Sequence, residues 1–193
     1  MIFRRFIFAS AAAATLVLSA TAIAAQTYVM DARHSEVRFA WSHFGVSKMS
    51  GMILNYSGRI NFDPASPENS KLEFTGKVDS LWTHVEKLDE HLKGPQFFEA
   101  AKFPEITFKS TKVEKTGETT GKITGDLTIK GVTKPVTLDV ELNFKGLYPF
   151  LNKPALGFSA KTTINRSDFG ITKGIPAVSD EIRITIETEM QQG

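Results

Sequence analysis

The chain has 193 residues, a length typical of a single domain, and it contains no cysteine. The lack of cysteine excludes disulfide bonds, thiol nucleophiles and anchoring through an N-terminal lipid-modified cysteine. Its 23 basic residues exceed its 21 acidic residues only through Arg4 and Arg5 (23 − 2 = 21). The rest of the chain therefore has no excess charge that would favour nucleic acid or a membrane surface.

Residues 1–24 have the pattern of a secretory signal peptide. Two arginines precede the mostly apolar stretch 6–18, and Ala22-Ile23-Ala24 has the small-x-small form of a cleavage site. A membrane anchor and a twin-arginine signal fit less well, because the stretch is rich in alanine and hydroxyl residues and no cofactor motif requires export of a folded protein. We expect cleavage near Ala24 or Ala25 and a mature domain at 25–193. The expected location is the periplasm, with full secretion left open.

The first half of the mature domain is predicted to form three strands and a short helix. Apolar and polar residues alternate, as in a strand with one apolar face, in three segments: 37–43, 52–62 and 72–79. The period then changes to that of a helix. Thr83 and Glu86 have the spacing of a capping box, and Gly94-Pro95 provides the expected helix end.

The second half of the domain is predicted to consist of strands alone. Alternation resumes at 106–113 and again at 158–164 and 182–188. Between them, Ile123–Phe144 alternates on both sides of a break at Gly131, which predicts two antiparallel strands joined by a short turn.

Eight amphipathic strands and one short helix favour an all-β fold, an eight-stranded antiparallel lipocalin-like barrel with the helix inserted between strands three and four. Closure of the barrel removes exposed strand edges, which an open sheet would have to protect. A β-sandwich is the alternative. A barrel of eight strands is either just filled by its own side chains or able to hold one ligand.

The sequence offers little catalytic or metal chemistry. His84 and His91 are about two helical turns apart, whereas a helical metal pair uses i,i+4 spacing, so no metal site is expected. His43 shares strand parity with Phe39 and Trp41. It is either a hydrogen-bonded core histidine or a polar contact to a ligand, and both readings stay open.

Aromatic residues are the most informative part of the composition. The chain has 15 Phe, two Trp and three Tyr, and most of them lie on the apolar faces of the predicted strands, in the helix or in the loops. They either fill the core or line an apolar lumen, which is the kind of site that a long apolar ligand requires.

Five segments, taken in order, carry a resemblance to a known family: HSEVRFAWSHFG (34–45), SGMILNYSGRINFD (50–63), DEHLKGPQFFEAAKFPEITFKSTKVEK (89–115), GDLTIKGVTKPVTLDVEL (125–142) and INRSDFGI (164–171). On these residues the mature chain resembles the YceI-like, polyisoprenoid-binding periplasmic proteins. The resemblance implies a lipocalin-like barrel that binds an isoprenoid, an isoprenoid quinone or a similar amphiphile non-covalently, often as a homodimer, and that is not an enzyme. Trp82 and Leu88 depart from the family pattern at polar positions, which indicates a different head group or none.

Strand parity and the resemblance together give candidate ligand-binding residues. The apolar lumen is predicted to comprise Phe39, Trp41, Leu54, Tyr56, Phe74, Leu92, Phe97, Phe98, Phe108, Leu127, Ile129, Leu138, Val140, Phe158 and Ile164. The candidate polar contacts are His43, Asn165, Arg166 and Asp168. Arg166 and Asp168 could instead pair with each other, and no catalytic residue or resident cofactor is predicted.

The leading hypothesis is a non-enzymatic periplasmic carrier for isoprenoid lipids or quinones, with no role in nucleic-acid binding. The first alternative is a filled-core stress or interaction protein whose apolar loop 147–156 contacts a partner or, transiently, a membrane. The second is a lipid-acting enzyme that uses His43 or the group His84, Asp89 and His91.

Overall fold

The computed structural model describes residues 25–193, so the predicted signal peptide lies outside the described residues. Ten strands and one α-helix make up the fold. The strands are β1 Gln26–His43, β2 Ser47–Ile53, β3 Tyr56–Phe62, β4 Lys71–Lys77, β5 Leu81–Trp82, β6 Glu105–Lys115, β7 Thr120–Ile129, β8 Val132–Leu147, β9 Pro154–Asn165 and β10 Glu181–Gln192. The helix is α1 Glu86–Lys93. Within residues 25–193 no helix is long and apolar enough to cross a membrane.

The ten strands occupy eight positions around a closed antiparallel barrel. The long strand β1 pairs with β3 along its first half and with β2 along its second half, so β2 and β3 share one position. In the same way β4 pairs with β3 and β5 pairs with β2. Pairing of β10 with β1 closes the ring. The predicted eight-stranded barrel, with its helix between the third and fourth positions, is confirmed, and the sandwich is excluded.

The predicted continuous strand 52–62 is wrong, because the chain breaks between β2 and β3. The backbone N–H of Leu54 donates to the carbonyl of Ser80 at 3.2 Å, and that of Asn55 donates to the Ser80 hydroxyl at 2.9 Å. These bonds replace ladder bonds at this point and turn the side chain of Leu54 out to solvent.

The predicted hairpin is formed by β7 and β8. Its two-residue turn places Lys130 at φ 50° and Gly131 at φ 74°, the positive values that a type I′ turn requires. A Cβ on Gly131 would lie 2.5 Å from the ring of Phe103, so glycine is needed here for space as well as for conformation. On its other edge β8 pairs with β9 only from Asp139 onward, so the missing donor of Pro135 interrupts no ladder there.

The barrel has two unlike ends, which follow from the up-and-down strand order. The open end comprises the turn 44–46, α1 with the segment 94–104 that follows it, and the segment 166–180. The closed end comprises the loops 63–70, 116–119 and 148–153. A cluster of buried side chains fills the closed end: Tyr28, Ile60, Phe62, Leu156 and Met190.

Candidate functional site

The barrel encloses an apolar cavity of about 530 Å³, within the size range of small-molecule sites. Inward-facing side chains of the strands form its wall, while α1 and the segment 166–180 border it at the open end. No aspartate or glutamate is among its lining residues in the described chain. The charged or polar side chains that border it are Arg38, His43, His91, Thr162, Arg166, Lys173 and Thr188.

Most of the predicted apolar lumen residues border this cavity. Those that do so are Phe39, Trp41, Phe74, Leu92, Phe97, Phe98, Phe108, Leu127, Ile129, Leu138, Val140, Phe158 and Ile164. Leu54 and Tyr56 do not. Leu54 is exposed at the break between β2 and β3. The Tyr56 ring packs against Phe74 with centroids 6.1 Å apart, and its hydroxyl donates to the backbone carbonyl of Ser35.

His43 lies at the mouth of the cavity and is exposed. Its ring meets the edge of the neighbouring Phe44 ring, with centroids 4.6 Å apart. The hypothesis of a hydrogen-bonded core histidine is therefore wrong, and the alternative, a polar contact to a ligand, stays a prediction.

Arg166 borders the cavity but serves mainly to organise the segment 166–180. It is 6% exposed, and its guanidinium donates to four backbone carbonyls at 2.9–3.1 Å: those of Ile171, Lys173, Val178 and Ser179. Burial lowers the pKa of Arg166, and the nearby carboxylate of Asp180 partly offsets this. An arginine has five N–H donors, so four of them are already in use. The predicted pairing of Arg166 with Asp168 is wrong.

Asn165 and Asp168 do not reach the cavity. Both are exposed, and they border a separate polar depression beside Lys134 and Thr137. Asn165 is the last residue of β9, and its side chain has the outward parity of that strand, opposite to Ile164. Strand parity alone excludes Asn165 from the lumen, and Asp168 follows in a short 3₁₀ turn.

Helix α1 forms a lid over part of the open end. Leu88, His91 and Leu92 face the cavity from the helix. The predicted capping box is wrong, because the helix begins after Val85 without a side-chain cap. Instead, the buried carboxylate of Asp89 accepts bonds from the backbone N–H of Thr83 at 2.7 Å and from its hydroxyl at 2.6 Å. This contact fastens the lid to the end of β5.

The histidine and carboxylate groups of the lid do not form one catalytic cluster. The His84 ring packs on the Trp82 indole, with centroids 3.7 Å apart, and it does not border the cavity. The Asp89 carboxylate is occupied by Thr83. Among residues 25–193, no three or more His, Asp or Glu side chains are grouped so that they could hold a metal ion.

The chain matches the family model of the YceI-like domain over residues 28–190. It belongs to the YceI-like family. The UPF0312 protein of Pseudomonas putida strain GB-1 is 40% identical over 184 residues, which are 94% of this chain and 95% of that protein. The solved structure of a Campylobacter jejuni YceI protein is 39% identical and has a TM-score of 0.71. The match covers 79% of this chain and 90% of that chain.

A more distant solved structure shows the same fold. It is a polyisoprenoid-binding domain from Saccharophagus degradans, 14% identical, with a TM-score of 0.62 over 87% of this chain and 99% of that domain.

In this YceI-like barrel, the cavity includes residues that were not among the predicted lumen set. Ile182, Ile184 and Ile186 of β10 border it, and their alternation in the sequence would have identified them. Phe169 and Ile171 also border it and are almost fully buried. They lie in the irregular segment 166–180, where no strand period indicates which side chains point inward.

Proposed function

We propose that this protein is a non-enzymatic carrier or reservoir for one isoprenoid lipid, isoprenoid quinone or similar long-chain amphiphile. The observation that supports the proposal is the cavity itself. It is almost wholly apolar, it is closed at one end by packed side chains, and its polar groups include His43 and His91 at the open end. This division matches an amphiphile with its chain inside and its head group at the mouth.

Chain burial would supply most of the binding free energy, at roughly 0.8 kcal/mol for each CH₂ group removed from water. His43, His91 and Lys173 border the cavity, with no carboxylate among the lining residues, which favours a head group that accepts hydrogen bonds or is negatively charged. The ligand class named for the distant Saccharophagus domain is consistent with such a molecule.

The periplasmic location belongs to the same proposal, since it rests on the signal-peptide pattern of residues 1–24. Intact-mass measurement of protein recovered from the periplasm is expected to give a chain that begins near residue 25. A mass that includes residues 1–24 would contradict cleavage. Homodimer formation also stays a prediction, which sedimentation velocity would check.

The alternatives have less support. The cavity argues against a filled core, and the separation of His84 and Asp89 from the lumen argues against an enzyme built on the lid. Membrane or partner contact through 147–156 stays a prediction. That loop lies at the closed end, remote from the cavity mouth.

The proposal is tested by native mass spectrometry and lipid extraction of protein purified from the periplasm. We expect a bound prenyl lipid or quinone in the parent protein. In Ala160→Phe an added ring would project into the cavity, so at least a tenfold loss of affinity for added quinone is expected, or about 1.4 kcal/mol.

The matched control is Lys161→Phe, which places the same ring on the outer face of the same strand. It should bind quinone as the parent protein does. Protein that is recovered empty and does not bind quinones or prenyl lipids would refute the proposal, as would unchanged binding by Ala160→Phe.

A further inference from the structure

The turn 44–46 at the open end exposes two large apolar side chains to solvent. Phe44 is 62% exposed and Val46 is 86% exposed. Phe44 also has φ 53°, a left-handed conformation that a bulky side chain rarely adopts. Neither burial nor backbone preference explains a phenylalanine at this position. Such a residue, strained and exposed together, indicates a site that contacts something outside the chain.

This turn is attached directly to the rim of the cavity. The backbone N–H of Phe44 donates to the carbonyl of Ala177 at 2.6 Å, and His43 forms an isolated β-bridge with Val178. His43 and Val178 both border the cavity. Anything that binds Phe44 and Val46 therefore lies next to the mouth.

The charges that face solvent beside the turn are mainly positive. The residues in contact, 42–44 and 177–179, carry no full charge, and Lys48 and Lys173 flank them along the chain. The acidic residue next to them, Asp180, is occupied by the backbone N–H and hydroxyl of Ser167 at 2.8 and 2.6 Å. Helix α1, at the same end, carries charged residues of both signs and therefore favours an anionic surface less. Apolar side chains beside lysines match the surface of a bilayer that contains anionic lipid, where the rings enter the acyl region and the ammonium groups remain among the head groups.

The closed end also exposes apolar side chains, with Phe150 at 91%, Leu147 at 58% and Leu151 at 50%. Their surroundings differ. The charges around this loop are of mixed sign: Lys153 lies in the loop, and Tyr148 lies beside the carboxylates of Glu189 and Asp31 and the guanidinium of Arg33. Desolvation, and after it the two carboxylates, raise the pKa of Tyr148. Charges of mixed sign favour an anionic surface less than lysines alone do, and the packed side chains of the closed end separate this loop from the cavity.

We propose that the turn 44–46, with Lys48 and Lys173, docks the open end of the barrel onto a membrane that contains anionic lipid. The docked barrel faces its cavity toward the bilayer, so an amphiphile moves between them without crossing water. This last step rests on the proposed function, whereas the docking itself does not.

The test is flotation of the purified mature protein, without residues 1–24, with two kinds of vesicle. One contains phosphatidylcholine and phosphatidylglycerol, and the other contains phosphatidylcholine alone. The double variant Phe44→Ser, Val46→Ser is expected to weaken partitioning at least tenfold, because it removes the apolar groups that enter the bilayer. Lys48→Gln is expected to weaken it about fivefold on the mixed vesicles only. Phe150→Ser is the matched control and should partition as the parent protein does.

Binding of the apolar dye N-phenylnaphthylamine without vesicles separates this proposal from the proposed function. The double variant should keep dye binding within about twofold and show an unchanged circular dichroism spectrum, whereas Ala160→Phe should lose dye binding and still float. Parent-like flotation of the double variant, or loss of flotation in Phe150→Ser, would overturn the docking proposal. The proposal would also be overturned if the parent protein were a dimer and the double variant a monomer that floats as the parent does. In that case a second copy of the chain, and not a membrane, would bind the turn.

Discussion

The two ends of the barrel are stabilised by different interactions. At the closed end, Leu156 and Met190 are 1% and 2% exposed and pack with other apolar side chains. At the open end Phe169 and Ile171 are also buried, but buried polar groups add a second means of fixing the chain: Arg166 binds backbone carbonyls, and Asp89 binds Thr83. Apolar packing fills space, whereas hydrogen bonds can fix a segment without filling the space beside it. The difference shows how a barrel of this size keeps one end empty.

The largest effect is expected from Leu156→Ala at the closed end. It should lower the free energy of unfolding by about 3 kcal/mol, because the cavity that it leaves is surrounded by packed side chains. Urea unfolding provides the measurement. Leu92→Ala in the lid removes the same atoms from a half-buried site that borders space already empty, and should cost about 1 kcal/mol or less. Equal losses at the two positions would contradict the comparison.

Arg166→Met is expected to lower the free energy of unfolding by about 2–3 kcal/mol, because it leaves several backbone carbonyls without donors. Hydrogen exchange should accelerate mainly in 166–180. Arg183→Met, an exposed position on β10, is the control and should change little. Uniform acceleration around the barrel after Arg166→Met would show that the arginine stabilises the fold as a whole rather than this segment.

Asp89→Asn is expected to cost about 1–2 kcal/mol, since a charge-assisted contact to Thr83 is weakened at a buried position. Amide exchange in α1 should accelerate, and a bound dye should dissociate faster because the lid is less firmly attached. Glu90→Gln changes the next residue, which is exposed, and serves as the control. Unchanged exchange in α1 would mean that Asp89 does not fasten the helix.

The smallest effect concerns β1 at the closed end, where its pairing register with β10 shifts between Met30 and Ser35. The Arg33 side chain, and after it His34, hydrogen-bond to the Asp31 carboxylate and hold its pKa well below its usual range. A lowered pKa in the folded protein stabilises the fold fully above the ordinary value of about 3.9, and that stabilisation is lost progressively as the pH falls from this value through the lowered pKa.

Asp31→Asn should therefore cost about 1 kcal/mol near neutral pH, a modest figure because Arg33 is exposed, and the difference from the parent protein should begin to shrink near about pH 4 and vanish only as the pH falls through the lowered pKa of Asp31. Urea unfolding measured at several pH values tests this. Asp126→Asn, at an exposed position on β7, is the control. A difference that stays constant with pH would contradict the assignment.

The regular part of the molecule was predictable from sequence because strand alternation reports directly on which side chains face inward. Leu127, Ile129, Leu138 and Val140 were assigned to the lumen on this basis and do border the cavity. Alternation fails where hydrogen bonds to a distant residue interrupt a strand. The contact of Leu54 with Ser80 is such a case, since the two are separated by more than one strand.

Irregular segments were not predictable for a related reason. The carbonyls that Arg166 binds lie in a segment without a period, and the Thr83–Asp89 contact competes with a capping pattern that the sequence also contains. In both cases the decisive interaction is made by one buried polar side chain. Its partners are set by the folded chain rather than by local spacing.

The wall of the barrel is not held by strand pairing over its whole height. Pairing between β4 and β6 ends at Lys77 and Glu105, and β5 above it pairs only with β2. Above that level, α1 and residues 94–104 stand between β5 and the next strands. The barrel wall therefore has a gap in strand pairing that α1 covers. Displacement of α1 would widen the cavity mouth for a bulky molecule. It would break side-chain contacts and a few loop hydrogen bonds, while all strand pairing in the sheet stays intact.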